Sequence, residues 1–222
     1  MSGQMESALA GVSHADRMDR MYRYQRHIYD ITRKYYLLGR DRMIAGLHVP
    51  QAGSLLEIGC GTGRNLLIAR RTYPSARLYG LDISAEMLAS ARRNFESAGS
   101  TPTFAVADAT TFTPQDLGAS GFDRIMISYA LSMIPDWERS IDAALSALNP
   151  SGSLHVVDFG QQERLPAWSG ALLKAWLARF HVTPRAALEA ELAAKARAAG
   201  MHLTFEKPYR GYAWHAVVAR NP

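Results

Sequence analysis

Short apolar runs recur along most of this chain, and each closes on a small, acidic or hydroxyl residue. They are Leu55–Ile58, the run in Leu78–Asp82, Phe104–Asp108, Phe122–Ser128 and the stretch from Leu154 to Asp158. Runs this brief and this continuously hydrophobic predict strands buried on both faces, separated by helices, as in an open parallel sheet. Near the end, Thr183 and Pro184 predict a helix start and Gly200 its stop. Met201–Phe205 and Tyr212–Arg220 then predict two further strands. Two longer segments carry a helical period instead. From Arg17 to Tyr36, Met18, Met21, Tyr22, Ile28, Tyr29, Tyr35 and Tyr36 fall on one side and Arg20, Arg23, Arg26, His27, Arg33 and Lys34 on the other. From Leu165 to Phe180, Trp168, Leu172, Leu173, Trp176, Leu177 and Phe180 cover an arc broader than one core contact needs. This organisation predicts an amphipathic helical lid over residues 1–46, with a possible membrane contact, and an α/β domain over 47–222 with a cover helix at 165–180.

The first strand runs into Glu57, Gly59, Gly61 and Gly63. An acid at a strand's carboxyl end followed by alternating glycines lets the backbone turn sharply beside a ligand. A dinucleotide fingerprint would place its third glycine where this chain has Arg64, so a nicotinamide site matches poorly. One helix and one strand later comes Asp82, a carboxylate suited to both hydroxyls of a ribose. Asp108, followed by Ala109, closes the next strand at a place suited to an adenine amino group. Ser128 and Tyr129 close the fourth, and Asp123 reads as the start of that strand rather than as chemistry. Glu57, Asp82, Asp108 and Ser128 thus share the edge where such sheets bind ligands. The combination predicts an S-adenosylmethionine pocket.

Composition narrows the setting. At 222 residues and 48% hydrophobic the chain can bury a full core. It shows no apolar run of about 18 residues and no secretory leader, so a cytoplasmic enzyme is expected. Cys60 is the single cysteine and reads as a small turn residue rather than a nucleophile. The histidines lack metal-ligand spacing, so no metal is expected. The net charge of +5 points to an anionic partner, whether nucleic acid, membrane or acidic small molecule. Tyrosines opposite arginines on the N-terminal helix suit a membrane interface or a lid over a charged ligand.

From Leu38 onward the order of glycine loop and acids resembles the class I S-adenosylmethionine-dependent methyltransferases. The resemblance implies a Rossmann-like α/β sheet, mostly parallel with an antiparallel last strand, and helices on both faces. It implies a cofactor site of Glu57, Gly59, Gly61, Gly63, Asp82, Ile83, Met87, Asp108, Ala109, Ser128 and Tyr129. More narrowly, Met21–Ile44, Ser128–Trp137 and Gly211–Arg220 resemble the N-methyltransferase of bacterial betaine-lipid synthesis, which trimethylates the amine of diacylglyceryl-homoserine.

That resemblance implies a peripheral enzyme on the inner face of an anionic membrane. Tyr24, Tyr29 and Tyr129 are the candidates to align the amine and shelter the cationic product. Arg23, Arg26, Arg33 and Arg40 are available to carboxylate or phosphate, with Asp158 and Trp168 also toward the substrate. The donor methyl is already activated, so positioning and exclusion of water carry the reaction and a strong base is dispensable. The related phosphoethanolamine enzymes place a histidine after the fourth strand, where this chain reads Tyr129 to Ile134; His155 or His27 would have to act from elsewhere. The competing readings are a phosphatidylethanolamine N-methyltransferase and a non-catalytic lipid- or cofactor-binding protein. A nucleic-acid methyltransferase is disfavoured, because Ser128–Leu131 lacks the Asn/Asp-Pro-Pro-aromatic element that grips a flipped base.

Overall fold

The computed structural model describes residues 37–96, 102–178 and 182–220. Seven strands form one sheet: β1 (Ser54–Ile58), β2 (Arg77–Asp82), β3 (Thr103–Val106), β4 (Phe122–Ser128), β5 (Leu148–Phe159), β6 (His202–Glu206) and β7 (Ala213–Ala219). Their order is β3-β2-β1-β4-β5-β7-β6. The pairs from β3 through β5 are parallel, and β7 lies antiparallel to both β5 and β6. The expected Rossmann-like sheet with an antiparallel last strand is therefore what the chain builds.

Alternate residues of each central strand feed opposite faces, which is why the runs are apolar throughout. Leu56, Ile58, Ile125, Ile127, Leu154 and Val156 pack on one side, under α4 (Trp137–Ser146) and α6 (Leu188–Ala198). Leu55, Leu78, Met126 and Val157 pack on the other. That second face is covered by α1 (Arg40–Ala45), α2 (Arg64–Thr72), α3 (Ala85–Glu96) and α5 (Ala167–Ala178).

Three boundaries differ from expectation. Met43 and Ile44 of α1 are fully buried, with Leu37 and Leu47 beside them in the core. Residues 37–46 therefore belong to the domain, because their side chains complete its hydrophobic face; residues 1–36 lie outside the described residues. The helix expected from Thr183 starts only at Leu188. Its first residues stay outside the helix, where Thr183 N–H donates to Ser132 O (2.9 Å) and the Arg185 guanidinium to the Leu131 and Ile134 carbonyls. Finally, β5 reaches back to Leu148, and the turn residues Asn149–Gly152 sit where its register against β4 shifts, between Phe122 and Arg124.

Asp123 ties strand starts together, as its position suggested. Its Oδ2 accepts from Ser54 N–H (2.8 Å) and Ser54 Oγ (3.0 Å), and Oδ1 accepts from Asn149 Nδ2 (2.7 Å). Burial works to raise its pKa, but these hydrogen bonds and Arg124 outweigh it and hold the carboxyl below its ordinary value. Asp123→Ala should lower stability by about 1–3 kcal/mol, the cost of stranding such donors, measured as a lower unfolding midpoint. The wild-type advantage is present above pH about 4, the ordinary carboxylate value. It is lost as the pH falls through the lower folded value.

Candidate functional site

Strand order reverses between β1 and β4, so their outgoing loops diverge and leave a crevice at the carboxyl edge. A cavity of about 170 Å³ lies there. Its lining comes from the ends of the first four strands and the loops after them: Gly59 and Gly61 after β1, Asp82 and Ile83 at β2, Asp108 to Thr110 after β3, and Ala130 with Met133 to Asp136 after β4. A smaller cavity of about 40 Å³ shares Gly59 and is lined by Leu37, Arg40, Glu57, Asn65 and Ser128, among others.

The glycine loop needs its glycines. Gly59, Gly61 and Gly63 all have positive φ (69°, 53° and 75°). A Cβ on Gly59 would lie 2.8 Å from the Ala130 methyl, whereas one on Gly61 would meet nothing within 4 Å. Gly59 therefore permits close approach of two loops, and Gly61 faces open space. Cys60, between them, is buried. Burial and the charges of Asp82 and Glu57 push its thiol well above the ordinary value, so it stays protonated and does not serve as a nucleophile.

Asp82 is buried at the end of β2, where its Oδ2 accepts from Gly61 N–H (2.8 Å) and Oδ1 from Ser84 N–H (3.0 Å). Each carboxylate oxygen can accept a second hydrogen bond, which leaves the pair competent to take two ribose hydroxyls. Asp108 makes a tight turn: its Oδ1 accepts from both Thr110 N–H and Thr110 Oγ1 at 2.8 Å. Oδ2 is left for a ligand in the cavity, next to the buried Ala109. The smaller cavity holds complementary groups. Glu57 Oε1 accepts from Asn65 Nδ2 (2.6 Å). Arg40 is only 5% exposed, lines this cavity and donates from Nε to Asp41 (3.1 Å), with no hydrogen bond from its terminal nitrogens among the described residues. The buried Ser128 hydroxyl has no partner among the described residues. A cation, an anion and a free hydroxyl side by side suit a zwitterionic amino acid, such as the methionyl end of a cofactor whose adenosine fills the larger cavity.

Other expected residues take different places. Tyr129 lies in the left-handed region (φ 55°) and is buried, and its hydroxyl donates to Leu38 O at 2.5 Å while its ring meets Phe159 edge-on at 4.7 Å. Burial, then the nearby Asp158 carboxylate, push the phenol well above its ordinary value. Tyr129 lines neither cavity; the structure uses its hydroxyl to fasten the entry to α1, in place of the amine contact expected of it. Met87 is buried in the first turn of α3, its N–H held by Ser84 Oγ (3.3 Å), and does not line the cavities. Asp158 is likewise buried rather than open to a substrate, accepting from Phe159 N–H (2.7 Å) and Ser132 N–H (3.1 Å). Burial raises its pKa to about 6 against those bonds and Arg185. His155 lies within β5, opposite Met126 and Val217, with Nε2 bonded to Ser153 Oγ (2.9 Å). Burial and then the charge of Arg124 depress its pKa to about 3, so it is neutral and does not reach the edge. Trp168 is on α5, but its side chain lies outside the described residues, as do Arg23, Tyr24, Arg26, His27, Tyr29 and Arg33.

Met133 to Asp136 of the β4–α4 wall were not among the expected site residues, although they lie within the Ser128–Trp137 segment that carries the resemblance. Asn65 and Arg64, lying just past the glycines, were missed as well.

The two cavities separate by ligand. Asp82→Ala should weaken S-adenosylhomocysteine and 5′-methylthioadenosine alike. Arg40→Ala should weaken only S-adenosylhomocysteine, by about tenfold or more for one charge-assisted contact, since methylthioadenosine lacks the amino-acid end. Calorimetry on both ligands checks this, and equal losses with Arg40→Ala would move Arg40 away from the carboxylate.

Comparison with known proteins agrees with this geometry. The family model described as methyltransferase domain matches residues 55–152. A trans-aconitate 2-methyltransferase of Variovorax paradoxus is 33% identical over 116 residues, 52% of this chain and 42% of that protein. A demethylmenaquinone methyltransferase of Thermus thermophilus is 29% identical over 136 residues, 59% of this chain and 60% of that one. The chain thus spans about half the length of these curated relatives. Among solved structures, phosphoethanolamine N-methyltransferase 2 of Haemonchus contortus, holding phosphomonomethylethanolamine and S-adenosylhomocysteine, superposes with a TM-score of 0.71 at 16% identity, covering 96% of this chain and 61% of that one. Mitomycin 7-O-methyltransferase gives 0.68 at 19%, covering 92% and 60%. One of these names an N-acceptor and the other an O-acceptor, so the shared fold leaves the acceptor open. With the glycine loop, Asp82 and Asp108 arranged around one crevice, residues 55–152 match a methyltransferase domain, a likeness that supports S-adenosylmethionine as the methyl donor.

Proposed function

We propose that this protein is an S-adenosylmethionine-dependent N-methyltransferase that successively methylates the amine of diacylglyceryl-homoserine, working peripherally on the cytoplasmic face of an anionic membrane. The observation that carries the reading is the chemistry of the larger cavity's wall. Its titratable lining residues are Asp82, Asp108 and Asp136, and no His, Lys, Cys or Tyr lines it among the described residues. Transfer to a hydroxyl or to carbon must strip a proton from the acceptor and calls for a positioned base; Asp82 and Asp108 are taken up by the adenosine, which leaves Asp136 as the one carboxylate of this lining to fill that role. A neutral amine carries its own lone pair. It attacks the sulfonium methyl in line, the carbon–sulfur bond breaks, S-adenosylhomocysteine leaves, and the new ammonium sheds its proton to solvent before the next round.

The specific acceptor rests on the resemblance of Met21–Ile44, Ser128–Trp137 and Gly211–Arg220 to the betaine-lipid enzymes. The second of these segments is the wall itself, and the third includes β7, beside β5. Membrane contact is proposed for the basic, tyrosine-bearing segment of the sequence before residue 37. Among the described residues no helix is long and apolar enough to cross a membrane.

A second reading has one observation in its favour. The likeness to trans-aconitate 2-methyltransferases suggests a carboxylate acceptor, which also needs no base and would suit Arg40 and Arg64 at the smaller cavity.

Incubation with S-adenosylmethionine and vesicles of diacylglyceryl-homoserine or of phosphatidylethanolamine, or with soluble trans-aconitate, separates these readings by product mass. One, two and three methyl additions on the homoserine lipid alone are expected. Addition only to phosphatidylethanolamine moves the acceptor to a phosphate-bearing head group, and addition only to trans-aconitate overturns N-methylation. Cofactor binding with no product in any arm would mean a binding protein.

A further inference from the structure

The cavity wall after β4 is gripped from behind. Every carbonyl from Leu131 to Ile134 other than that of Met133 accepts a hydrogen bond from the short link between α5 and α6. Arg185 Nε donates to Leu131 O (3.0 Å), Arg185 Nη2 donates to Ile134 O (2.6 Å), and Thr183 N–H donates to Ser132 O (2.9 Å). Ser132 N–H in turn donates to the buried Asp158 (3.1 Å), and the Arg185 guanidinium lies 6.0 Å over the Trp137 ring. Leu131 and Ser132 are buried, while their neighbours Ala130, Met133 and Ile134 line the cavity. The loop therefore has a ligand face and a held face. One planar guanidinium spans both ends of the held face, a reach that an ammonium point charge lacks.

We propose that Arg185 is a positioning residue for the cofactor: by bracing Leu131 and Ile134 it fixes the wall against which the adenosine portion packs, opposite Asp82 and Asp108. The link also joins that wall to α5, since Val182 N–H donates to Leu177 O (3.2 Å) and both side chains are buried in the core. Loss of the brace frees the wall on its cavity side, so the ligand must pay the ordering that the protein otherwise supplies in advance. The assignment rests on the S-adenosylmethionine reading of the cavity and is independent of the acceptor.

The test uses the full chain, with S-adenosylhomocysteine and 5′-methylthioadenosine as probes in calorimetry and thermal unfolding alongside. Arg185→Met should weaken both ligands by about tenfold, the equivalent of one charge-assisted hydrogen bond. Arg185→Lys, which keeps the charge near Asp158 but cannot bridge two carbonyls, should weaken both by a similar factor while staying folded. A loss confined to S-adenosylhomocysteine would place Arg185 at the amino-acid end and overturn the proposal. So would wild-type affinity in Arg185→Lys, or a lowered unfolding midpoint with unchanged affinity. Should Arg185→Met not fold, the lysine variant decides alone. Absence of binding by the wild-type protein would instead sink the cofactor reading on which this rests.

Discussion

Everything at the ligand edge hangs on a buried carboxylate. Asp82 sits at the end of β2 with one oxygen on Gly61 N–H and the other on Ser84 N–H. A carboxylate taken out of water is costly unless its lone pairs are met, and here the backbone meets them. The same two bonds stitch the glycine loop of one strand to the helix start of the next, so the ribose acceptor and the close-approach loop are set together. Gly59 and Gly63 then follow from that geometry. One has no room for a Cβ against Ala130, and the other would press on Ala91 and Phe95 of α3.

The opposite wall is built on another principle. Where the glycine side is held by backbone and strand ends, the β4–α4 loop is held by side chains arriving from afar in sequence. Arg185 and Asp158 secure its back, and the Tyr129 hydroxyl secures Leu38 at the chain's entry to α1. Tyr129 adopts a left-handed backbone that a bulky residue avoids at a cost of about 1–3 kcal/mol. Its phenol-to-carbonyl bond and its edge-on contact with Phe159 offset that strain. The same hydrogen bond pins Leu38, between Leu37 and Arg40 of the smaller cavity's lining.

This division explains what could be read from the chain. Glu57, Asp82, Asp108 and Ser128 were legible because each ends an apolar run, and strand ends on one parallel edge converge whatever the helices do. The antiparallel hairpin at the end was legible too. The start of α6 was not. Thr183 and Pro184 carry a good helix-start signal, yet Arg185 gains more from two carbonyls over fifty positions earlier in the chain than from a helical turn. The direction of the Tyr129 hydroxyl and the burial of Asp158 were hidden for the same reason, since both depend on residues distant in sequence. Residues 37–46 looked like a lid because their neighbours upstream are amphipathic, but Met43 and Ile44 fill the core face that Leu55 and Leu66 leave open.

An activated methyl sulfonium asks little chemistry of the protein, so selectivity has to come from what can reach the sulfur and in which protonation state. A wall that offers carboxylates and apolar side chains discriminates by that rule. It offers a hydroxyl or an acidic carbon no base beyond Asp136, and on the proposed reading it suits an amine whose cationic product gains from a nearby acid. Asp136 matters most in this respect. It begins α4 without using its side chain as a cap, so its carboxylate remains exposed at the cavity. Successive methylation makes the product bulkier and permanently cationic at the last step. On the proposed amine reading, a site that places Asp136 at the cavity, while holding the donor through Asp82 and a braced wall, would take each partly methylated amine without rearranging between rounds.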